Sequence, residues 1–175
     1  MFTRLLAKSP AKRVGEQLYQ EAARQARTPA LYLHMGAPDT VEGRFELLTL
    51  HVILLVERLR VNDAEASAVR QCLFDAYVSN LDGALREMGV GDLAVGKRMR
   101  KLGEAFYGRA QAYDEAFAEL PDPTALKDLL SRTVLRDLEA TDAMPLSIYV
   151  EACRERLHAC DLVEILNAAP RWANP

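Results

Sequence analysis

Apolar residues recur along this chain at intervals of three and four and nowhere alternate cleanly with polar ones, so the pattern predicts helices and no strand. From Val41 the series Val41, Phe45, Leu48, Val52, Leu55, Leu59 falls on one helical stripe. Leu47, Leu50, Ile53 and Leu54 clothe the other sides, which marks a helix over about residues 40–61 as central and buried. After Asn62-Asp63 a second helix carries Val69, Cys72, Leu73, Ala76, Tyr77, Leu81, Leu85 and Met88. It should stop at Gly89, which can take the left-handed conformation of a helix cap, with Val90 folding back. Asp92 stands where an N-cap belongs, ahead of a third stripe through Val95, Met99, Leu102, Phe106, Tyr113 and Phe117. Residues 11–27 read as a helix that stops before Pro29, and a short helical piece from Ala30 to Met35 ends at Gly36. Asp39 with Glu42 three residues on resembles a capping box for the central helix. Asp122-Pro123 opens a further helix, and Pro145 opens a last one to about Asn167. The expected fold is all-α: one compact domain of about six to seven helices over residues 11–167, with residues 1–10 and 168–175 loose.

Composition changes this picture little. A chain of 175 residues, half of them apolar and 27% charged, is ordinary for a globular domain and excludes a disordered or fibrous one. Three cysteines with no CxxC pair argue against a disulfide framework and for a reducing compartment, the cytoplasm by default. Met1 to Leu6 holds no apolar run of signal-peptide length. The most apolar stretch, Phe45 to Val56, is interrupted by Glu46, Thr49 and His51 and is far shorter than the about 20 residues a bilayer span needs. Phe2, Leu5 and Leu6 beside Arg4 and Lys8 form a short basic amphipathic start, readable as a frayed terminus or as a segment dipping into an anionic leaflet. The net charge is −3, but basic residues lead over positions 1–113 and acidic ones over 114–164.

Candidate chemistry is sparse. Gly89-Val90-Gly91-Asp92-Leu93-Ala94 matches a dinucleotide fingerprint in letters, yet a helix precedes it and Asp92 sets a negative charge where a phosphate should bind. His34, His51 and His158 are scattered, and His51 fits a hydrogen-bonded core histidine. Cys153 and Cys160 lie seven apart on one helix face, as buried thiols or as a redox or metal pair. There is no nucleophile elbow and no framed carboxylate pair, so neither an enzyme nor a cofactor or metal is expected. Asp82 and Arg86, and Lys97 and Lys101, stand four apart; with Arg98 and Arg100 the latter form a basic segment. It reads either as a solvated face or as a surface for phospholipid headgroups, RNA phosphates or an acidic partner. Arg44, unfavourably placed at the start of the central helix, calls for a carboxylate such as Glu46 or an acid from another helix, or else faces a binding groove.

The runs Pro38 to Glu46, Leu73-Phe74-Asp75, Asp82, Leu85 to Asp92, Val95-Gly96-Lys97-Arg98 and Phe106-Tyr107-Gly108-Arg109 resemble the ubiquinol-cytochrome c chaperone family, over roughly residues 15–160. The resemblance implies a non-catalytic assembly factor for cytochrome b of respiratory complex III. In mitochondrial relatives it implies work near the ribosomal tunnel exit with a small helper protein. The short N-terminus departs from those relatives, and the expectation is a bacterial member, in the cytoplasm or peripheral at the cytoplasmic face of the inner membrane. Arg44, Glu46, Asp82, Arg86, Glu87, Asp92, Lys97, Arg98, Tyr107 and Arg109 are the partner-binding residues it points to. They would border a groove beside the central helix that shields apolar segments of newly made cytochrome b. Two other classes stay open: a helical haem or lipid carrier, and a generic RNA-binding or scaffold protein. The overall acidity speaks against the RNA reading.

Overall fold

A computed structural model describes residues 9–136 and 142–175, with backbone only for residues 92 and 93. Of the segment expected to be loose at residues 1–10, residues 1–8 lie outside the described residues, whereas Ser9 caps the first helix and Pro10 is its first residue. Within them the protein is all-helical, with eight helices and no strand. They are α1 (Pro10–Gln25), α2 (Pro29–Leu33), α3 (Val41–Arg58), α4 (Ala64–Glu87), α5 (Asp92–Ala118), α6 (Thr124–Thr133), α7 (Met144–Ala159) and α8 (Leu162–Leu166).

The central helix is where the apolar pattern placed it. α3 touches α1, α4 and α7, and Leu47, Leu50, Val52, Ile53, Leu54 and Leu55 are fully buried. Its N-cap is Thr40, whose hydroxyl accepts from the Gly43 amide at 3.1 Å, rather than the expected Asp39. Thr40 can close the same ring, and Asp39 is left to pair with Arg44. Similarly, α5 begins at Asp92 with Gly91 as its N-cap, one residue before the expected position. The end of α4 is as predicted: Gly89 has φ +80°, its amide bonds the Arg86 carbonyl, and the Val90 amide reaches back to the Leu85 carbonyl.

α1 and α4 form the most extensive helix pair, and Gly15 sets their closeness. A Cβ at Gly15 would lie 2.6 Å from the Cys72 carbonyl carbon, so the two backbones need the missing side chain. Gly15→Ala is expected to destabilise the protein by about 1–3 kcal/mol in urea denaturation, because the collision is with backbone that cannot rotate away. Gly103→Ala, where the added carbon meets nothing within 4 Å, should instead stabilise by about 0.5–1 kcal/mol.

The last predicted helix is two. The chain leaves the helical conformation at Cys160, and α8 restarts with Asp161 accepting from the Glu164 amide while Glu164 accepts from the Asp161 amide. The tail over residues 168–175, expected to be loose, is docked: Trp172 and Ala173 are 8% and 4% exposed. Gln25 on α1 donates to the Ala173 carbonyl at 3.0 Å, and Arg156 on α7 donates to the Trp172 carbonyl at 3.2 Å. Ala168, at φ +56°, turns the chain back after α8.

Under this tail lies a buried polar chain centred on His51. Nδ1 is 2.7 Å from the Leu47 carbonyl, which can only accept, so Nδ1 carries the proton and Nε2 accepts from the Tyr149 hydroxyl at 2.8 Å. Tyr149 in turn accepts from Gln25 at 2.9 Å. Burial pushes the imidazole down to about 4. The unfolded chain therefore binds a proton that the folded chain refuses between pH 6.5 and 4, and stability falls as pH drops through that window. The loss approaches on the order of 3 kcal/mol near pH 4, and His51→Gln should flatten that part of a stability-against-pH curve.

Candidate functional site

α4 beyond Leu81 and α5 before Phe106 form a helical hairpin that leaves the core, and from Asp82 to Ala105 Val95 is the one described side chain that is buried. On its inner side the hairpin overhangs α1, α2 and the start of α3, and the space between is a groove of 390 Å³. Phe45 and Leu48 of α3 form the floor, with Leu81, Leu85 and Met88 of α4 and Leu102 of α5 along one wall. Tyr32 and the small Ala23 and Ala26 close the other side. Met88, at the hairpin tip, is 62% exposed. Two cations, Arg27 and Arg44, and Glu42 stand at the rim.

The local sequence explains these positions. Gly43 admits the Pro38 carbonyl, which would sit 2.1 Å from an added Cβ, so the chain entering α3 lies tight against its first turn. That brings Asp39 to Arg44 at 2.6 Å, and the guanidinium holds the Asp39 carboxyl below its ordinary range. The carboxylate expected for Arg44 is therefore Asp39, from the entry loop.

Of the ten predicted residues, Arg44 lines the groove. Asp82, Arg86, Glu87, Lys97 and Arg98 sit on the hairpin above it, and of Asp92 the backbone position at the start of α5 is described. Arg86 is bound to Asp82 at 2.7 Å, whereas Lys97 and Arg98 point to solvent. Glu46 and Arg109 are turned inward to each other in a two-pronged ion pair joining α3 to α5, with side chains 10% and 28% exposed. Their position makes them a brace for the hairpin's base. Behind them Tyr77, hydrogen-bonded to Thr49 at 2.9 Å, is pushed up to about 12 by burial. Tyr107 lies outside the groove, on the face toward the end of α3.

The groove's apolar lining was absent from the predicted site. Met88 beside a cap glycine was the available signal: an apolar side chain at a helix end, 62% exposed in the structure. No His or Cys lines the groove, and both nitrogens of His51 are engaged in the core. Among the described residues no group of three or more His, Cys, Asp or Glu is arranged to hold a metal ion. No helix among them is long and apolar enough to cross a membrane.

The family model described as ubiquinol-cytochrome C chaperone matches residues 33–172. The chain belongs to the ubiquinol-cytochrome c chaperone family. The match takes in α3, the hairpin and the C-terminal helices, reaching the docked tail and so extending past the region that the sequence motifs marked. Among solved structures, the crystal structure of the Cbp3 homolog from Brucella abortus is similar at 32% identity and a TM-score of 0.85, covering 94% of this chain and 91% of that one. No curated protein matches the chain. Family and structural similarity together support a ubiquinol-cytochrome c chaperone role. The family motifs from Pro38 to Glu46 and Leu85 to Asp92 are the segments that build the groove's floor and tip.

Proposed function

We propose that the chain holds newly made cytochrome b through an apolar segment laid in the groove between the α4–α5 hairpin and the start of α3, and so promotes assembly of respiratory complex III. The observation that carries this reading is the groove itself: side chains from five helices, mostly apolar, converge on an open space rimmed by Arg27 and Arg44. Covering such a surface removes apolar area from water, worth roughly 1.5–3 kcal/mol for each large side chain fully buried. A segment destined for a membrane has a matching surface and no aqueous structure of its own. Lys97 and Arg98, exposed on the outer hairpin, are suited to acidic groups of the client or to phosphates at the cytoplasmic face of the inner membrane. A ribosome contact and a small helper protein belong to the same reading. The role needs no chemical step, in keeping with a holding function rather than catalysis.

Leu85→Arg combined with Met88→Arg tests it, since neither side chain is needed by the core. The expected outcome is an unchanged circular dichroism spectrum and melting temperature, with at least about a tenfold loss of affinity for cytochrome b segments. Complex III content in cells carrying the variant should fall with it. Normal complex III content in the presence of the folded double variant contradicts the reading.

A further inference from the structure

A second surface lies more than two turns of α3 away from the groove. At the C-terminal end of α3, Val56 and Arg60 meet Arg70, Gln71 and Phe74 of α4 and Phe106, Tyr107 and Ala110 of α5 around a depression of 270 Å³. An aromatic chain runs outward through it. Buried Tyr77 contacts Phe106 at 5.2 Å between ring centroids, Phe106 contacts Phe74 at 5.0 Å, and Phe74 contacts Tyr107 at 5.6 Å. The chain ends in the open, with Tyr107 64% exposed. Beside it the two arginines differ. Arg60 is neutralised by Asp114 at 2.5 Å, while half-buried Arg70 has no hydrogen-bond or ion-pair partner among the described residues.

We infer that this depression is a docking site for an acidic protein segment that places an aromatic or apolar side chain on Tyr107 and Phe74 and a carboxylate on Arg70. Charge decides the sign of the occupant: the balanced Arg60–Asp114 pair leaves Arg70 as a lone positive charge, and its planar fork matches a carboxylate. Shape decides the class. The volume lies below the about 300–1,000 Å³ of enclosed small-molecule sites, and the aromatic shelf is open to solvent, as suits a side chain offered by another protein's surface. Tyrosine and arginine are the residue types that most often carry binding energy at such contacts. The site is independent of the groove, so one chaperone could keep an apolar client and an acidic partner at once.

The test uses the full chain and a seven-residue peptide with a central phenylalanine flanked by three glutamates on each side, alongside its counterpart with every glutamate replaced by lysine. Heteronuclear NMR should show shifts at Phe74, Phe106 and Tyr107 with the glutamate peptide and not with the lysine one. Arg70→Gln should weaken that binding at least about tenfold, while Leu85→Arg, in the groove, leaves it unchanged. Equal binding of the lysine peptide, shifts that map to the groove, or no shift at millimolar peptide overturns the proposal. A ten-nucleotide oligouridylate that shifts the same aromatics when the glutamate peptide does not would overturn it in favour of a nucleic-acid site.

Discussion

Arg109→Met should cost about 3–5 kcal/mol of folding stability, because it strands the Glu46 carboxylate on the buried side of α3 without its partner. The guanidinium fills both oxygens of Glu46, and no other cation is placed to replace it among the described ion pairs. The loss should not reflect the net worth of the pair. Glu46→Leu together with Arg109→Met removes both desolvation penalties and is expected to return the protein to within about 1 kcal/mol of the parent. Urea denaturation of the two single variants and the double variant closes the cycle. A single variant as stable as the parent would mean that the brace at the hairpin's base is not formed.

Trp172→Ala is the second large change, at about 3–5 kcal/mol, since it empties a site in the core rather than trimming a tail. The indole stands edge-on to the His51 ring at 5.3 Å between centroids, and Ala173 beside it holds Gln25, which in turn holds Tyr149. Loss of the indole should therefore loosen α1 from α7 as well as open a cavity. Trp172 is the sole tryptophan, so its fluorescence reports the docked state directly. The parent should emit as a buried indole and shift to the red on unfolding in a single transition with the helices. A red-shifted emission under native conditions would show the tail undocked.

The contrast between Trp172 and the central helix explains what could be read from the sequence. The stripe from Val41 to Leu59 and the stop at Gly89 are local: spacing decides one and the conformational freedom of glycine the other. The break at Cys160 was also written locally, in Asp161 and Glu164, but the apolar spacing through Leu157 and Cys160 reads as unbroken. The docked tail has no local signature. Its turn rests on Ala168 in a left-handed conformation that costs a non-glycine residue about 1–2 kcal/mol, offset by the burial of Trp172 against His51 and by the long-range bonds from Gln25 and Arg156 to the tail's carbonyls. The candidate site divides in the same way. The cations on the hairpin were legible as a cluster, and the family resemblance located the motifs. The Asp82–Arg86 pair was legible from its spacing of four, but the other pairings were not: Glu46 and Arg109 are 63 residues apart, and Arg44 binds Asp39, five residues before it, rather than Glu46, two after it. A groove beside the central helix was expected, but its apolar lining escaped because those residues look, one by one, like core.

The most direct measurement is site-specific photo-crosslinking in cells assembling complex III, with p-benzoylphenylalanine at Leu85 in the groove and at Ile148, an exposed position on α7. Covalent capture of cytochrome b from position 85 and not from position 148 is the predicted result. Capture from neither, or equally from both, would contradict the groove as the place where the client is held.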